Sequence, residues 1–185
     1  VSSDVGGQSV NLPDISGRNI VFAGYIGSEY VIYLHNLDSG ISEQISSGLS
    51  NTSNPNIHNT TVVWTNYNSG GKTDIYSYDL ETQEQTKIVS DIDASVTLDL
   101  YGSVVVYAGN YGEEKRVRLY DLDSKTTDSI GYTNSEQSKP RIYNNKVIWQ
   151  DKRNDNEFRL GTADVYVYDI TTKNEYRISA QNVHV

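Results

Sequence analysis

Three sets of residues in this chain have the types and spacing to do chemistry. Asp14, Asn56, Asp99 and Arg141 recur at the same place in successive segments. Brought together, they would offer a carboxylate pair able to hold a cation or to face Arg141. Asp79, Asp121 and Asp169, with Asn36 at the matching place, resemble a catalytic series until their period is noticed. A side chain repeated before every turn is expected to accept backbone hydrogen bonds there. The third set is the stretch Asp151-Lys152-Arg153-Asn154-Asp155-Asn156-Glu157, whose density of oxygen ligands suits Ca²⁺. It lacks the glycine and terminal bidentate glutamate of an EF-hand loop, and its other reading is a solvated polar loop. No cofactor is assigned; Ca²⁺ is the one ion that the stretch would suit.

Other chemistries find fewer residues. His35, His58 and His184 share no metal-ligand spacing, and no Gly-x-Ser-x-Gly elbow marks a serine nucleophile. Cysteine is absent, which removes disulfides, thiol nucleophiles and thiolate metal sites. No catalytic residue is assigned. Tyr25, Asn66-Tyr67-Asn68 and Asn110-Tyr111 combine aromatic rings with amides. Such surfaces stack on sugar rings and hydrogen-bond their hydroxyls, although tyrosines in these places also serve to pack a strand rim.

These residues are positioned by a repeat. Phe22, Trp64, Tyr107 and Trp149 fall 42, 43 and 42 residues apart, and each closes an apolar run such as Val62-Val63-Trp64 or Val147-Ile148-Trp149. A second anchor follows each, seen in Tyr76-Ser77-Tyr78-Asp79-Leu80 and Tyr166-Val167-Tyr168-Asp169-Ile170. Each copy reads as four short strands. The first contains Pro13-Asp14-Ile15 or its counterpart. The second is the apolar run, expected to be buried on both faces. The third carries the Tyr-x-Tyr-Asp pattern, and the fourth is polar and suits an outer edge. Four-stranded antiparallel units that repeat bury their faces by packing against neighbouring blades around an axis. The fold class expected is therefore all-β: a β-propeller of four four-stranded antiparallel blades, forming a self-closed ring or part of a larger or oligomeric one. One domain spans residues 1–185, with blades at about 11–51, 52–93, 94–136 and 137–180.

The string Pro-x-Ile-x-(Gly/Asn)-x-x-Val-Val-Trp, followed by Asp-Ile-Tyr-x-Tyr-Asp-Leu, resembles the TolB-like (WD40-like) β-propeller repeat of secreted and cell-surface proteins of bacteria and archaea. The resemblance covers about residues 11–180 and is strongest in the second and fourth copies. The third departs from it, with Leu98 in the proline place and Arg116-Val117-Arg118 where Asp-Ile-Tyr is expected. In such a propeller the loops between second and third strands lie on the face where ligands bind. Tyr25, Tyr67, Tyr111, Arg153 and Asp155 are the candidate binding residues of that face, and Asp99 and Arg141 those of the axial channel.

The formal net charge of −9 repels phosphate backbones and anionic membranes, so no nucleic acid is expected as partner. No apolar run approaches the roughly 18 residues that a membrane helix needs, and no membrane insertion is expected. Fifteen tyrosines against two phenylalanines suit thin modules with much surface per residue, because tyrosine buries its ring and wets its hydroxyl. Asn51-Thr52-Ser53 and Asn59-Thr60-Thr61 are glycosylation sequons at about the number chance supplies. The function expected is a non-catalytic scaffold outside the cytoplasm, at the cell surface or in the periplasm. Its partner would be a protein, a glycan or copies of itself in an oligomer or filament. The alternative is a carbohydrate-active lyase or hydrolase, or the propeller domain of one.

Overall fold

The computed structural model describes residues 10–112, 114–131, 134–155 and 163–179. Every regular element among them is a strand. The first copy contributes β1 (Val10–Ser16), β2 (Asn19–Ile26), β3 (Glu29–Asn36) and β4 (Ile41–Gln44). The second contributes β5 (Thr52–His58), β6 (Thr61–Tyr67), β7 (Lys72–Asp79) and the first part of β8 (Gln85–Tyr101). β8 then continues as the first strand of the third copy, ahead of β9 (Val104–Tyr111), β10 (Glu114–Asp121) and β11 (Thr126–Ser129). The last copy is β12 (Gln137–Tyr143), β13 (Lys146–Asp151), β14 (Asp164–Asp169) and β15 (Glu175–Arg177). The strand pairings among the described residues are antiparallel meanders, giving sheets of four, seven and four strands; the central one is seven because β8 serves two copies.

The turns explain why the sequence meanders in this way. Between first and second strands Gly17, Asn59, Gly102 and Asn144 take left-handed φ of 53–61°. Glycine reaches that region without a Cβ penalty, and asparagine reaches it more readily than most other residues. Before each fourth strand the Asp/Asn series closes the turn. The Oδ1 of Asn36, Asp79, Asp121 and Asp169 accepts two backbone N–H bonds each, from residues two and three further on, at 2.7–3.1 Å. The structural role expected of that series is what the geometry shows.

A bulge precedes the first-strand series in three copies. Leu12, Asn54 and Lys139 each adopt φ of 53°, each precedes a proline, and in each the register slips before Asp14, Asn56 or Arg141. Proline has no N–H to give to the ladder, so the strand steps around it at an extra residue. The third copy has Leu98 in place of proline and no such left-handed residue at Thr97.

The chain divides into two compact units, Val1–Val96 and Thr97–Val185. In the first, Val21, Ala23, Ile32 and Leu34 of the first copy pack on Ile57, Val62 and Trp64 of the second. In the second, Val106, Ala108, Val117 and Leu119 of the third copy pack on Ile142, Val147 and Trp149 of the fourth. The two cores are built on the same positions: Val21 and Val106, Ala23 and Ala108, Ile57 and Ile142, and Trp64 and Trp149 each stand 85 residues apart. The structure thus shows a longer period than the four-fold one, a pair of unlike copies used twice. Val62, Val63, Val105 and Val106 are wholly buried, as an apolar run with two covered faces requires. The fourth copy departs from that expectation, because Val147 is buried while the adjoining Ile148 is 39% exposed.

Candidate functional site

The third strand of the second and fourth copies starts its motif with an aspartate, and both aspartates are buried. Asp74 Oδ1 accepts hydrogen bonds from Asn68 Nδ2 at 3.2 Å and from the Asp91 backbone N–H at 3.0 Å, while its Oδ2 pairs with Lys87 Nζ at 2.8 Å. Burial pushes this carboxyl up. The Lys87 ammonium, the Asp91 N–H and the Asn68 amide together outweigh burial and hold it below the usual carboxylate range. Asp164 repeats the scheme. Its oxygens accept from Asn154 Nδ2 at 2.7 Å and Ser179 Oγ at 2.8 Å, and Arg177 Nη2 forms an ion pair with it at 3.1 Å. In both copies one aspartate ties the loop after the second strand, through its asparagine, to a cation on the fourth.

The fourth copy adds a second buried carboxylate, Asp151, at the end of β13. It is fully buried and accepts from Trp149 Nε1 (3.0 Å), Ser135 Oγ (2.6 Å), Gln137 Nε2 (3.2 Å) and the Arg153 backbone N–H (2.8 Å). Arg153 Nη2 lies 2.6 Å from the same carboxylate, and its Nη1 reaches Glu175 at 2.5 Å. The guanidinium lies 3.8 Å from the centre of the Tyr166 ring, which itself stacks against Trp149. Burial raises the Asp151 carboxyl, but the Arg153, Ser135 and Trp149 donors overcome it and bring the value to about 2. Burial likewise lowers Arg153, and its two carboxylate partners more than reverse that. The pair is permanently ionised at ordinary pH. A carboxylate so low cannot serve as a general acid, and one so filled with donors offers a metal little.

Gly131 makes room for this network. Its φ is +80°, and a Cβ built there would stand 2.4 Å from Gln137 Nε2 and 2.9 Å from the Trp149 ring. Gln137 cannot step aside cheaply, because its Oε1 also accepts the Val117 N–H at 2.8 Å. Gly131→Ala is therefore expected to destabilise the protein by about 1–3 kcal/mol through overpacking and left-handed strain, read as a lower denaturant midpoint with unchanged slope.

The residues singled out in the sequence are divided between the two compact units and have different surroundings. Tyr25 sits in β2 against Tyr30, ring centres 4.9 Å apart and edge-on. Tyr67 ends β6 with its side chain 55% exposed, a ring available to a ligand. Tyr111 ends β9, and its side chain lies outside the described residues. Arg153 is locked in the ion pairs above, and Asp155 closes a turn on the Lys152 carbonyl at 2.8 Å. Asn156 and Glu157, part of the stretch suited to Ca²⁺, lie outside the described residues, and its first carboxylate is filled by protein donors. Among the described residues no group of three His, Asp or Glu side chains converges to hold a metal.

Asp99 and Arg141 do approach, at 3.8 Å, but Asp99 has a backbone task. Its Oδ2 accepts the Ile142 N–H of the next copy at 2.9 Å and its Oδ1 the N–H of Leu100 at 3.0 Å. Asp14 does the same with Ile57 (2.8 Å) and Ile15 (2.9 Å). These carboxylates staple successive copies. His35 Nδ1 lies 2.9 Å from Ser42 Oγ, a contact that scattered histidines did not suggest. Among the described residues no carboxylate orients this imidazole, as a nucleophilic serine would need.

The comparisons fit this geometry. TolB from Acinetobacter baumannii superposes with a TM-score of 0.69 at 17% identity, over 95% of this chain and 45% of its own. The β-propeller domain of the Trilobed protease from Pyrococcus furiosus, described as having an open velcro topology, gives 0.71 at 14%, over 94% of this chain and 57% of its own. The fold is that of a TolB-type β-propeller. Acylaminoacyl peptidase from Pyrococcus horikoshii shares it too, with a TM-score of 0.70 at 10% identity, over 97% of this chain and 34% of that one. This chain thus spans roughly half the length of the propellers it matches. No family model matches the chain, and no curated protein matches it by sequence.

Asp74 and Asp164 were passed over by sequence reasoning, and Asp151 was placed in an ion-binding stretch rather than in the core. Asp74 and Asp164 were legible as the first residue of the Asp-Ile-Tyr motif and its fourth-copy counterpart Asp164-Val165-Tyr166. Asp151 had a signal as well, standing two residues after a core tryptophan at the end of the strand that carries the apolar run Val147-Ile148-Trp149.

Proposed function

We propose that this chain is a non-catalytic binding and assembly scaffold made of four propeller blades, working at the cell surface, outside the cell or in the periplasm. The observation that carries the reading is the state of its polar clusters. Asp74, Asp151 and Asp164 are buried and filled with donors from the loops they anchor, so their work is to hold loop stems rather than to turn over a substrate. Arg153 and Asn154 fix the start of the longest loop, and a loop with a fixed stem presents its tip at low entropic cost. Tyr67 offers an exposed ring beside the amides of Asn66 and Asn68, a surface suited to a glycan or a peptide. The TolB-type fold and the family resemblance support a place outside the cytoplasm, and fold alone does not set function.

The test is a panel of polysaccharides and peptides, scored for both retention and turnover. Retention that falls at least tenfold in Tyr67→Ala, with an unchanged circular dichroism spectrum and no turnover of any member, is the expected result. Turnover that disappears in Asp99→Asn, Arg141→Ala or Asp155→Asn would replace this reading with the enzymatic one, which the peptidases sharing the fold make worth scoring.

A further inference from the structure

Within each compact unit, one face of a copy receives the opposite face of the next, and the two faces are different rows of the sheet. The outgoing row of the first copy runs across paired residues Asp14, Val21, Leu34 and Glu43. The incoming row that it meets begins with Ile57 and Val62, 4% and 0% exposed. The second unit repeats this, with Val106 and Leu119 outgoing and Ile142 and Val147 incoming. The first copy has an incoming row too, headed by Ile15 and Ile20 at the places of Ile57 and Val62, and there Ile15 is 58% exposed. The fourth copy has an outgoing row, Arg141, Ile148, Val167 and Tyr176, in which Ile148 is 39% and Tyr176 51% exposed. Tyr176 stands where the outgoing rows of the first and third copies carry Glu43 and Asp128, so the fourth row is more apolar at its outer end although that tyrosine is half exposed.

We infer that these two rows are a docking pair, and that the outgoing face of the fourth copy binds the incoming face of the first copy in a second chain. The occupant is identified by complementarity already used within this chain. Both halves of the mating surface are present here, on the positions that mate inside each unit, so a second copy supplies all that is missing. Charge agrees. First-strand residues of successive copies come within ion-pair reach, as Asp99 and Arg141 do at 3.8 Å. The same succession sets Arg141 of one chain beside Asp14 of the other, an attraction that orients two molecules each of net charge −9. The Ile15 N–H, at the place of the stapled Ile57 N–H, is already bonded to its own Asp14. The interface is heterologous: two chains form a ring if the rotation closes, and many form a filament if it does not.

This deepens the self-assembly part of the scaffold reading and fails separately from it. The experiment is mass in solution by light scattering and sedimentation, over a hundredfold range of protein concentration. The wild-type chain is expected as a dimer or a longer polymer. Ile15→Glu and Ile148→Lys are each expected to return the mass of one chain, 20.7 kDa, with unchanged circular dichroism. An equimolar mixture of the two variants is expected to recover a two-chain complex, because one keeps an intact outgoing row and the other an intact incoming row. A wild-type monomer at every concentration would overturn the proposal and leave ligand binding by the loops standing. So would a variant that keeps the wild-type mass, or a mixture that stays monomeric, since each points to a different surface. Turnover by the assembled protein would instead count against the scaffold reading alone.

Discussion

Asp151→Ala is expected to destabilise the protein by about 3–5 kcal/mol, an effect that few single substitutions reach. The carboxylate is fully buried, and its loss strands the indole N–H of Trp149 and one side of the Arg153 guanidinium. Arg153 would keep Glu175 and the Tyr166 ring but lose the fully buried carboxylate that faces its charge. Asp151→Asn should cost less, because an amide oxygen can still accept from Trp149 or Ser135, and Asp151→Ala with Arg153→Met should recover part of the loss by removing the stranded charge. Urea titrations of the four proteins check the order. Acid makes the same point. A carboxyl held at about 2 when folded, against an ordinary 3.8, contributes stability that is complete above about pH 4 and drains away as pH falls towards 2. The amount is about 2 kcal/mol, and in Asp151→Asn that portion of the acid slope should vanish.

The elements were legible in the sequence because each carried its own local signal. Val62-Val63-Trp64 reads as a strand in any context, and Asp121-Leu122-Asp123-Ser124 reads as a turn because its aspartate can reach the two N–H groups ahead of it. The site was less legible for a physical reason. Asp99 looks like a channel carboxylate until one knows that the Ile142 N–H, 43 residues away, points at it, and Arg153 looks like a loop cation until Glu175 and Tyr166 arrive from other strands. Hydrogen-bond partners that are distant in sequence are set by the packing of copies, which a repeat period does not encode. The pairing of unlike copies was hidden likewise. A four-fold average blurs Asp14 and Asp99, the carboxylates that staple, with Asn56 and Arg141, and blurs Asp74 and Asp164 with places where the motif has lost its acid.

The two core tryptophans separate shape from hydrogen bonding. Trp64→Ala and Trp149→Ala should each cost about 3–5 kcal/mol, since both side chains are essentially buried and each leaves a large cavity against the preceding copy. Phenylalanine divides the cost. It keeps most of the ring and its stacking on Tyr76 or Tyr166 but removes the indole N–H. Trp64 Nε1 is buried and has no hydrogen-bond partner among the described residues, so Trp64→Phe loses volume and no bond, and sheds an unsatisfied donor. Trp149 Nε1 donates to Asp151 at 3.0 Å, so Trp149→Phe loses volume and also takes a donor from a buried carboxylate. Trp149→Phe should therefore be the more destabilising by about 1.5–3 kcal/mol, and the Asp151 carboxyl should titrate measurably higher in it. Equal costs in the two proteins would mean that the Asp151 network draws its strength from Arg153 and Ser135, with the indole serving as filler.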